Sequence, residues 1–317
     1  MQDSRVSALA GNRGKTFRQI ILDNSAFLLM IAIPVVYVII FSYIPMGGVI
    51  LAFKNYKYRL GILGSPWVGL NNFKFFFISG AAGRTIRNTL LYNTAFIVLG
   101  MFTEVVFAII LNELRGRGFK RTAQSLMLLP FFISWVVVSS IVYSIISYEH
   151  GLLNNIITAF GGSPVNVYAK PTAWPFIMVF LRLWKGAGYG CIIYLANITS
   201  IDPEIYEAAE IDGANIWQKT RSITLQHLRS TMVIMLLLAM GGMFRGDFGM
   251  FYQMVKNNGV LLPYTDIIDT FVFRALLSSA DVGMSAASGL FQSLLCLITI
   301  LSANFVVTKI DPDYALF

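Results

Sequence analysis

Charged side chains inside apolar runs are the residues of this sequence that could do chemistry. Arg182 and Lys185 interrupt one such run, and Arg245 and Asp247 interrupt the next. A charge at the centre of a membrane costs about 2.5–3.5 kcal/mol on insertion scales, so such residues usually face a cavity or a partner. Two simpler interpretations stay open: Arg245 pairs with Asp247, or Arg182 and Lys185 extend toward the membrane interface.

A second candidate site is the charged stretch 202–225, which lies between two apolar runs. Asp202 is suited to cap a helix start, with Pro203 at the first helical position, where its missing N–H is no loss. Gly213 permits a left-handed turn, and Asn215 is suited to cap a second short helix. These signals predict a helix–turn–helix elbow that presses on a partner.

The sequence holds none of the common catalytic or metal-binding motifs. The glycine-rich stretch 11–15 lacks the spacing and the preceding strand of a phosphate-binding loop, so the chain cannot hydrolyse ATP by that route. Cys191 and Cys296 lie in apolar runs and are predicted to be small buried hydrophobes. His150 and His227 lie in different loops. We expect no enzyme activity, and no metal or cofactor bound by this chain.

The composition is that of a membrane protein. Of the 317 residues, 56% are hydrophobic and 13% are charged, whereas soluble domains carry about 25% charged residues. Most of the chain must therefore cross or line a bilayer, and lipid is an expected contact. The formal charge of +8 does not indicate nucleic-acid binding, because basic residues beside membrane spans set the orientation of the chain.

Apolar runs predict about six transmembrane helices, and therefore an all-α integral membrane fold. The predicted spans are 25–44, 88–114, 122–146, 173–198, 231–251 and 286–307. The chain then divides into an N-terminal cytoplasmic segment (1–24), a transmembrane domain (25–310) with the elbow at 200–228, and a tail (311–317). The first run is too long for a signal-peptide core and lacks a clear cleavage site, so we expect it to remain as a helix.

The short loop 115–121 sets the predicted orientation, because it contains four basic residues. Short basic loops stay in the cytoplasm, so this loop, the elbow and both termini are predicted to lie inside. The longer segments 53–87, 147–172 and 252–285 then lie outside.

The spacing inside the elbow is specific. It reads Glu207-Ala208-Ala209, three residues, Gly213, nine residues, Ile223, one residue and Leu225. This pattern resembles the EAA loop of binding-protein-dependent ABC importer permeases. Gln226 departs from the family pattern, which usually has Pro after the final Leu, and this puts the shape of the loop exit in question.

Further stretches extend the resemblance over nearly the whole chain. Residues 67–73 (WVGLNNF) are similar to a stretch common in sugar-type permeases, and 88–90 (NTL) to the start of a family helix. Residues 53–56 and 61–67 resemble permeases for oligo- and polysaccharides, including the alginate importer. Two roles stay open for the outer residues of this region, an interfacial aromatic belt or docking of a sugar-binding protein. The residues concerned are Asn55, Tyr56, Tyr58 and Trp67.

The resemblance implies a type I ABC importer permease fold with a cytoplasmic coupling helix, in a multi-pass protein of the bacterial cytoplasmic (inner) membrane. It implies a heterodimer with a second permease subunit, two ATPase subunits that bind ATP and Mg²⁺, and an extracytoplasmic sugar-binding protein. The implied ATPase-coupling residues are Glu207, Ala208, Ala209, Gly213, Ile223 and Leu225.

The resemblance to sugar permeases also implies a substrate path. The predicted path residues are Trp184, Lys185, Tyr189, Arg245 and Asp247. Aromatic faces suit the C–H groups of sugar rings, and charged side chains suit hydroxyls and carboxylates. Three basic residues against one acid in the fourth and fifth spans leave an excess of positive charge. This excess favours an acidic, uronate-type oligosaccharide or polysaccharide such as alginate.

Two other classes of protein stay open. A secondary transporter that works without an ATPase needs a coupling-ion site and usually repeats in the two halves. Asp247 and Glu104 are its candidate carboxylates, and no repeat is evident. A structural membrane subunit explains the hydrophobicity but not the elbow.

Overall fold

The computed structural model consists almost entirely of helices in the part of the chain that it describes. It describes residue 19 and residues 22–78, 80–279 and 281–316. The predicted N-terminal segment 1–24 therefore lies mostly outside the described residues. The helices are α1 (Ser25–Val38), α2 (Ile44–Met46), α3 (Gly61–Gly64), α4 (Asn71–Ile78), α5 (Ala81–Glu113), α6 (Arg117–Phe132), α7 (Trp135–Ile146), α8 (Leu152–Ala159), α9 (Trp174–Ile198), α10 (Pro203–Ile211), α11 (Ile216–Lys219), α12 (Leu225–Met240), α13 (Phe248–Val255), α14 (Leu262–Thr265), α15 (Ile268–Ser279) and α16 (Val282–Ile310). Two π segments (Ile39–Tyr43 and Thr220–Thr224) and short 3₁₀ segments, of which Gly47–Phe53 is the longest, complete the helical structure.

Among the described residues, five helical stretches are long and apolar enough to cross a membrane, and there are six candidates if one bent pair of helices counts as a single span. The five stretches are Ser25–Phe53, Ala82–Glu113, Pro171–Ile198, Ile216–Met240 and Val282–Ile310. The prediction of an all-helical membrane protein with about six spans is therefore confirmed.

The predicted third span, 122–146, is not one straight helix. α6 and α7 meet at a bend of 95°. Pro130 lies in the last turn of α6, where proline removes one helical hydrogen bond. Ser134 then starts α7, and its side chain accepts a hydrogen bond from Val137 N. The single predicted span is thus corrected to two helices with a break between them.

The fifth span begins and ends earlier than the predicted 231–251. Its continuous helical stretch is Ile216–Met240, and residues 241–247 form a turn without regular helix. Arg245 and Asp247 lie in this turn. They are therefore placed after the span and not within it, because the helix stops before it reaches them.

The first span has little cover from the rest of the chain. Every side chain of α1 is exposed, although the helix is strongly apolar, and Pro34 lies inside it. Only the later 3₁₀ segment Gly47–Phe53 packs extensively, against α16. Lipid or another subunit must cover α1, because an apolar helix of this length is not stable in water.

α9 is the centre of the packed bundle, and it lies against α5 and α6. A Cβ added to Gly188 would be 1.9 Å from the carbonyl oxygen of Met127 on α6. A Cβ added to Gly190 would be 2.0 Å from the carboxyl carbon of Glu104 on α5. Glycine on α9 therefore permits the close approach of its neighbours, as small residues do in other membrane proteins.

Both cysteines are buried free thiols, which confirms their prediction as small hydrophobic residues. Cys191 packs in a cluster with Tyr194 and Leu228. No group of three His, Cys, Asp or Glu side chains in the described ranges is arranged to hold a metal ion.

The predicted outer segment 252–285 is more folded than its mixed sequence indicated. Ile267 and Ile268 within it are completely buried. Asp266 is also completely buried, and its Oδ2 is 2.5 Å from Arg274 Nη2 and 3.6 Å from Arg84 Nη2. Two guanidinium groups thus compensate the buried carboxylate, which would otherwise be a costly charge.

Candidate functional site

A cavity of about 590 Å³ opens between α5, α9, α12 and the turn 241–247. Its wall is mainly apolar, with a few polar and charged groups that converge on the same space. The charged and aromatic lining residues include Phe96, Glu104, Phe131, Arg182, Tyr189, Arg245 and Asp247. A concave apolar wall with few convergent polar groups is the usual form of a small-ligand site.

The structure brings three of the five predicted path residues to this cavity. Tyr189, Arg245 and Asp247 line it, whereas Trp184 and Lys185 do not. Trp184 borders a separate, almost wholly apolar groove between α5, α6 and α9. Lys185 is buried, and its ammonium is directed toward the α6–α7 bend.

Helical periodicity explains this placement. Arg182, Gly186 and Tyr189 are four and three residues apart, so they share the face of α9 that borders the cavity. Trp184 and Lys185 lie off that face. The predicted cavity position of these two residues is therefore corrected.

An aromatic pair forms part of the cavity wall. The rings of Phe131 and Tyr189 are stacked, with centroids 4.4 Å apart and planes 9° apart. Tyr189 is 52% exposed in the isolated chain. Sequence reasoning identified Tyr189 but not Phe131, which follows Pro130 directly. Pro130 was the signal in the sequence that could have identified Phe131. It precedes the helix break, and a broken span exposes side chains that a straight helix would direct elsewhere.

The charges that line the cavity are balanced. Glu104 and Asp247 are acidic, and Arg182 and Arg245 are basic. The excess of positive charge expected from the fourth and fifth spans is therefore not found in the lining itself. Glu104 was predicted only as a carboxylate of the second span without an evident partner, whereas in the structure the cavity also borders α5 and Glu104 lines it.

The ion pair between Arg245 and Asp247, one of the interpretations left open by the sequence, is not among the salt bridges of the described residues. Asp247 has other contacts instead. Asp247 Oδ2 accepts a hydrogen bond from Trp135 Nε1 at 2.9 Å, and Oδ1 accepts one from Met250 N at 3.1 Å. The latter bond caps the start of α13. Asp247 is therefore fixed by its neighbours on both carboxylate oxygens.

Arg245 forms no salt bridge within 4.0 Å in the described part of the chain. The salt bridges found there join Arg84 to Asp266, Lys219 to Glu210 and Arg274 to Asp266. The carboxylate of Asp269 acts electrostatically on Arg245 from beyond that distance. The guanidinium of Arg245 can thus contact a ligand without breaking an ion pair.

Hydrogen bonds from α5 hold one side of the turn 241–247. Asn93 Nδ2 donates to the carbonyl oxygen of Met243 at 2.7 Å and to that of Arg245 at 3.0 Å. Backbone groups of an irregular turn need such partners, because they have none within a regular helix.

The opposite side of the turn is held by α15 and α16. Asp269 Oδ2 accepts from Gly246 N at 2.7 Å, and Gln292 Nε2 donates to the carbonyl oxygen of Phe244 and to Asp269 Oδ2. The backbone that carries Arg245 is therefore fixed by three different helices, which the separation of these residues in sequence did not reveal.

The elbow has the predicted helix–turn–helix geometry. Asp202 caps α10 by accepting a hydrogen bond from Glu204 N at 3.0 Å. Gly213 adopts a φ of +77°, in the region where glycine is favoured. Asn215 and Gln218 then form a reciprocal capping box at the start of α11.

The second helix of the elbow is not a separate short helix. α11 continues through the π segment Thr220–Thr224 into α12, so it is the beginning of the fifth span. Gln226 lies inside this continuous helix. The loop exit at the position of the usual family proline is therefore helical.

Side-chain contacts join the two arms of the elbow. Lys219 Nζ is 2.5 Å from Glu210 Oε1, and this hydrogen bond together with the lysine charge holds the pKa of Glu210 below its usual range. The hydroxyls of Tyr206 and Thr224 are 2.9 Å apart and share a hydrogen bond. The elbow can thus move as one unit with α12.

The predicted coupling residues are exposed or half-buried on the elbow and at the start of α12. Glu207, Ala208, Gly213 and Leu225 are exposed, and Ala209 and Ile223 are half-buried. Ala209, Gly213 and Ile223 border the same notch between α10 and the π segment. Their contact with an ATPase stays a prediction.

The outer aromatic residues are exposed as either of their two predicted roles requires. Tyr58 is 74% exposed and Trp67 is 64% exposed. Tyr56 packs edge-to-face on Tyr58 at 5.1 Å, and the buried Lys54 ammonium lies 5.0 Å from the centroid of the Trp67 ring. The segment is therefore ordered by local contacts, and both roles stay open.

Comparisons with known proteins give a consistent result. A family model described as "Binding-protein-dependent transport system inner membrane component" matches residues 82–312. The polygalacturonan/rhamnogalacturonan transport system permease protein YteP of Bacillus subtilis (strain 168) is 33% identical over 314 residues, which cover 98% of this chain and 97% of YteP. Protein LplB of the same organism is 33% identical over 293 residues, which cover 92% of each chain.

Solved structures agree with these relatives. A chain of a bacterial ABC transporter that imports the acidic polysaccharide alginate matches with a TM-score of 0.84 and 29% identity, covering 94% of this chain and 100% of the other. A chain of a bacterial alginate ABC transporter in complex with an alginate pentasaccharide-bound periplasmic protein matches with a TM-score of 0.83 and 28% identity, covering 93% and 98%.

Proposed function

The chain belongs to the family of inner membrane components of binding-protein-dependent transport systems, and from this premise we propose that it carries an acidic oligosaccharide through the cavity between α5, α9 and α12. It is a permease subunit of an ABC importer for sugars or oligosaccharides, as its relatives are, and such subunits are not enzymes. Family membership sets aside the secondary transporter and the structural subunit.

The position of Arg245 in the cavity is the observation that supports an acidic substrate. Its guanidinium lines the cavity without a salt bridge in the described residues, whereas Asp247 next to it is already bound by Trp135 and by the start of α13. Arginine offers a planar set of donors that matches a carboxylate. A carboxylate of the substrate is the group that would satisfy Arg245 without displacing a contact of the protein.

The route from the elbow to the cavity supports ATP-driven transport. α12 begins in the elbow, and its residues Leu236 and Ala239 line the cavity. Closure of ATPase subunits on the elbow would therefore move a wall of the cavity directly, since a helix transmits a displacement along its axis as a nearly rigid body.

The assembly proposed for this function contains four kinds of component. They are this chain, a second permease subunit, two ATPase subunits that bind ATP and Mg²⁺, and an extracytoplasmic sugar-binding protein. In this arrangement the segment 1–24, the elbow at 200–228 and the tail 311–317 lie in the cytoplasm, and residues 25–310 form the transmembrane domain of the bacterial inner membrane.

Removal of the Arg245 charge is expected to reduce selectivity for acidic substrates. Uptake should be measured for an alginate pentasaccharide and for maltopentaose, in the wild type and in Arg245→Gln. We expect the wild type to prefer the alginate pentasaccharide. Uptake of this substrate by the variant should be at least about tenfold lower than by the wild type, because hydrogen bonds to charged groups contribute about 1.5–3 kcal/mol.

Arg117→Gln is the matched control, since it removes the same charge from an exposed site at the first residue of α6. It should leave the preference unchanged. A wild type that prefers maltopentaose, or an Arg245→Gln variant with unchanged alginate uptake, contradicts the acidic substrate.

A cysteine at Tyr58 is expected to crosslink to the sugar-binding protein. The side chain is among the most exposed aromatics of the predicted outer surface. Tyr58→Cys should give a crosslinked product in at least one nucleotide state of the assembled transporter. Phe119→Cys, at an exposed position within the basic stretch 115–121 that is predicted to lie inside, should give none. If Tyr58→Cys gives no product in any state, only the interfacial-belt role remains.

A further inference from the structure

We propose that Lys185 is a positioning residue that holds the broken third span in its bent form and thereby shapes the cavity wall. The effect on the bend is independent of what the cavity carries. The effect on transport rests on the proposed function, and the experiments below separate the two.

The Lys185 ammonium completes the open end of α6. The last carbonyl groups of a helix have no partner within the helix, and they lie at its negative end. Lys185 Nζ donates to the carbonyl oxygen of Pro130 at 3.2 Å and to that of Phe131 at 2.6 Å. The Pro130 oxygen also accepts from Ile133 N at 3.3 Å. The buried cation thus compensates the negative end of α6, and the carbonyl oxygens of that helix end are hydrogen-bond acceptors for the cation.

The same ammonium contacts both arms of the bend. It lies 5.5 Å from the centroid of the Phe131 ring, at the end of α6, and 5.5 Å from that of the Trp135 ring, at the start of α7. Cations are attracted to aromatic faces at such distances, more strongly when water is excluded. Lys185 on α9 therefore joins two helices that have no continuous backbone hydrogen bonding between them.

Both aromatic rings also contact residues that line the cavity. Phe131 is stacked on Tyr189, and Trp135 Nε1 donates to Asp247 Oδ2 at 2.9 Å. Asp247 ends the turn that carries Arg245. Lys185 is thus connected to both the aromatic and the charged part of the wall, although it does not line the cavity itself.

Fluorine NMR tests the position of the bend without any transport measurement. The chain has five tryptophans, so 5-fluorotryptophan labelling of the assembled transporter gives five resonances from this subunit, and Trp135→Phe assigns the one from Trp135. Labelling is restricted to this subunit by assembly with unlabelled partners. Loss of a charge 5.5 Å from the centroid of the Trp135 ring shifts this resonance even if the bend stays in place, so the readout of the bend is the exposure of the ring to solvent. Lys185→Met should increase the solvent isotope shift (H₂O against D₂O) of the Trp135 resonance and leave that of Trp217, on the elbow, unchanged. Lys185→Arg, which keeps the charge and the donors, should keep the isotope shift of the wild type.

Uptake tests the consequence for the cavity. Lys185→Met should raise the half-saturating concentration for the alginate pentasaccharide by about tenfold, a change typical of residues that act through a contact network, with a smaller change in maximal rate. Lys185→Arg should stay near the wild type. Lys170→Met, which removes an exposed lysine before α9, is the control and should change neither readout.

The outcomes are separable. An unchanged solvent isotope shift of Trp135 in Lys185→Met overturns the proposal, as does an increased isotope shift with an unchanged half-saturating concentration. If the wild type takes up neither the alginate pentasaccharide nor maltopentaose, the proposed function fails. In that case the solvent isotope shift of Trp135 in Lys185→Met and Lys185→Arg still decides whether Lys185 holds the bend.

Discussion

The variant Gly213→Val is expected to lose most of the substrate-stimulated ATP hydrolysis of the assembled transporter, while it still inserts in the membrane at normal levels. Gly213 has a φ of +77°, and nothing lies within 4 Å of the position that a Cβ would occupy. The effect is therefore one of backbone strain, on the order of 1–3 kcal/mol, and not of collision. Strain at this turn would alter the angle between α10 and α11, and with it the surface offered to the ATPase.

We expect stimulated activity to fall by about 5- to 150-fold, the range that corresponds to a coupling energy of 1–3 kcal/mol. Gly213→Asn should retain activity, because asparagine tolerates positive φ better than β-branched residues do. Gly161→Val is the matched control: Gly161 has a φ of +76° and equally open surroundings, but it lies in a different loop. Wild-type activity in Gly213→Val would show that the turn is not part of the coupling surface.

Charge reversal tests the same surface at a second point. Glu207→Lys should also reduce the stimulated activity, because Glu207 is exposed on α10 and would present the wrong charge to the partner. Glu204→Lys makes the same change one turn earlier on the same helix. Since Glu204 lies closer to the helix start, its loss should destabilise α10 at least as much. A stronger effect at Glu207 than at Glu204 therefore reports contact with the partner and not helix stability.

The variant Gly188→Ala is expected to prevent normal packing of the bundle. The added Cβ would lie 1.9 Å from the Met127 carbonyl oxygen and 3.0 Å from Leu128 N, both in the backbone of α6. A backbone atom cannot rotate away as a side chain can, so α6 and α9 would have to separate. Overpacking commonly costs about 1–3 kcal/mol, and the separation would also disturb the α6–α7 bend.

Gly186→Ala is the matched control for this prediction, because its Cβ would meet only the end of the Arg182 side chain at 3.8 Å. Both substitutions place alanine in the middle of the same helix, where it is a better helix former than glycine. The yield of folded protein after detergent extraction and the temperature of thermal inactivation should fall for Gly188→Ala and stay near the wild type for Gly186→Ala. Equal stability of the two variants would contradict the close approach of α6 and α9.

Local signals were sufficient for the elbow and for most of the spans. The cap at Asp202, the positive φ of Gly213 and the capping box at Asn215 depend on neighbours within a few residues, so the sequence contained them. The spans at 173–198 and 286–307 were found because an apolar run of sufficient length has few alternatives to a membrane helix.

Errors arose where an apolar run did not coincide with a helix. The run at 122–146 breaks at a 95° bend, and the run at 231–251 contains the end of a helix and an irregular turn. Composition alone did not distinguish helix from turn in these runs, because the apolar residues continue past the end of each helix. Hydrogen bonds from the distant residues Asn93, Asp269 and Gln292 hold the turn, together with its own backbone hydrogen bonds.

The sequence by itself determined that this protein is a helical membrane protein with a helix–turn–helix elbow of specific spacing, because hydrophobic length and capping are properties of contiguous residues. Only the tertiary structure decided which charged side chains share a cavity. Glu104 lines the cavity, and Arg245 lines it without an ion pair in the described residues. Lys185 instead donates to a carbonyl oxygen at the end of α6. These outcomes depend on which faces of distant helices meet, and neither hydropathy nor spacing encodes that choice.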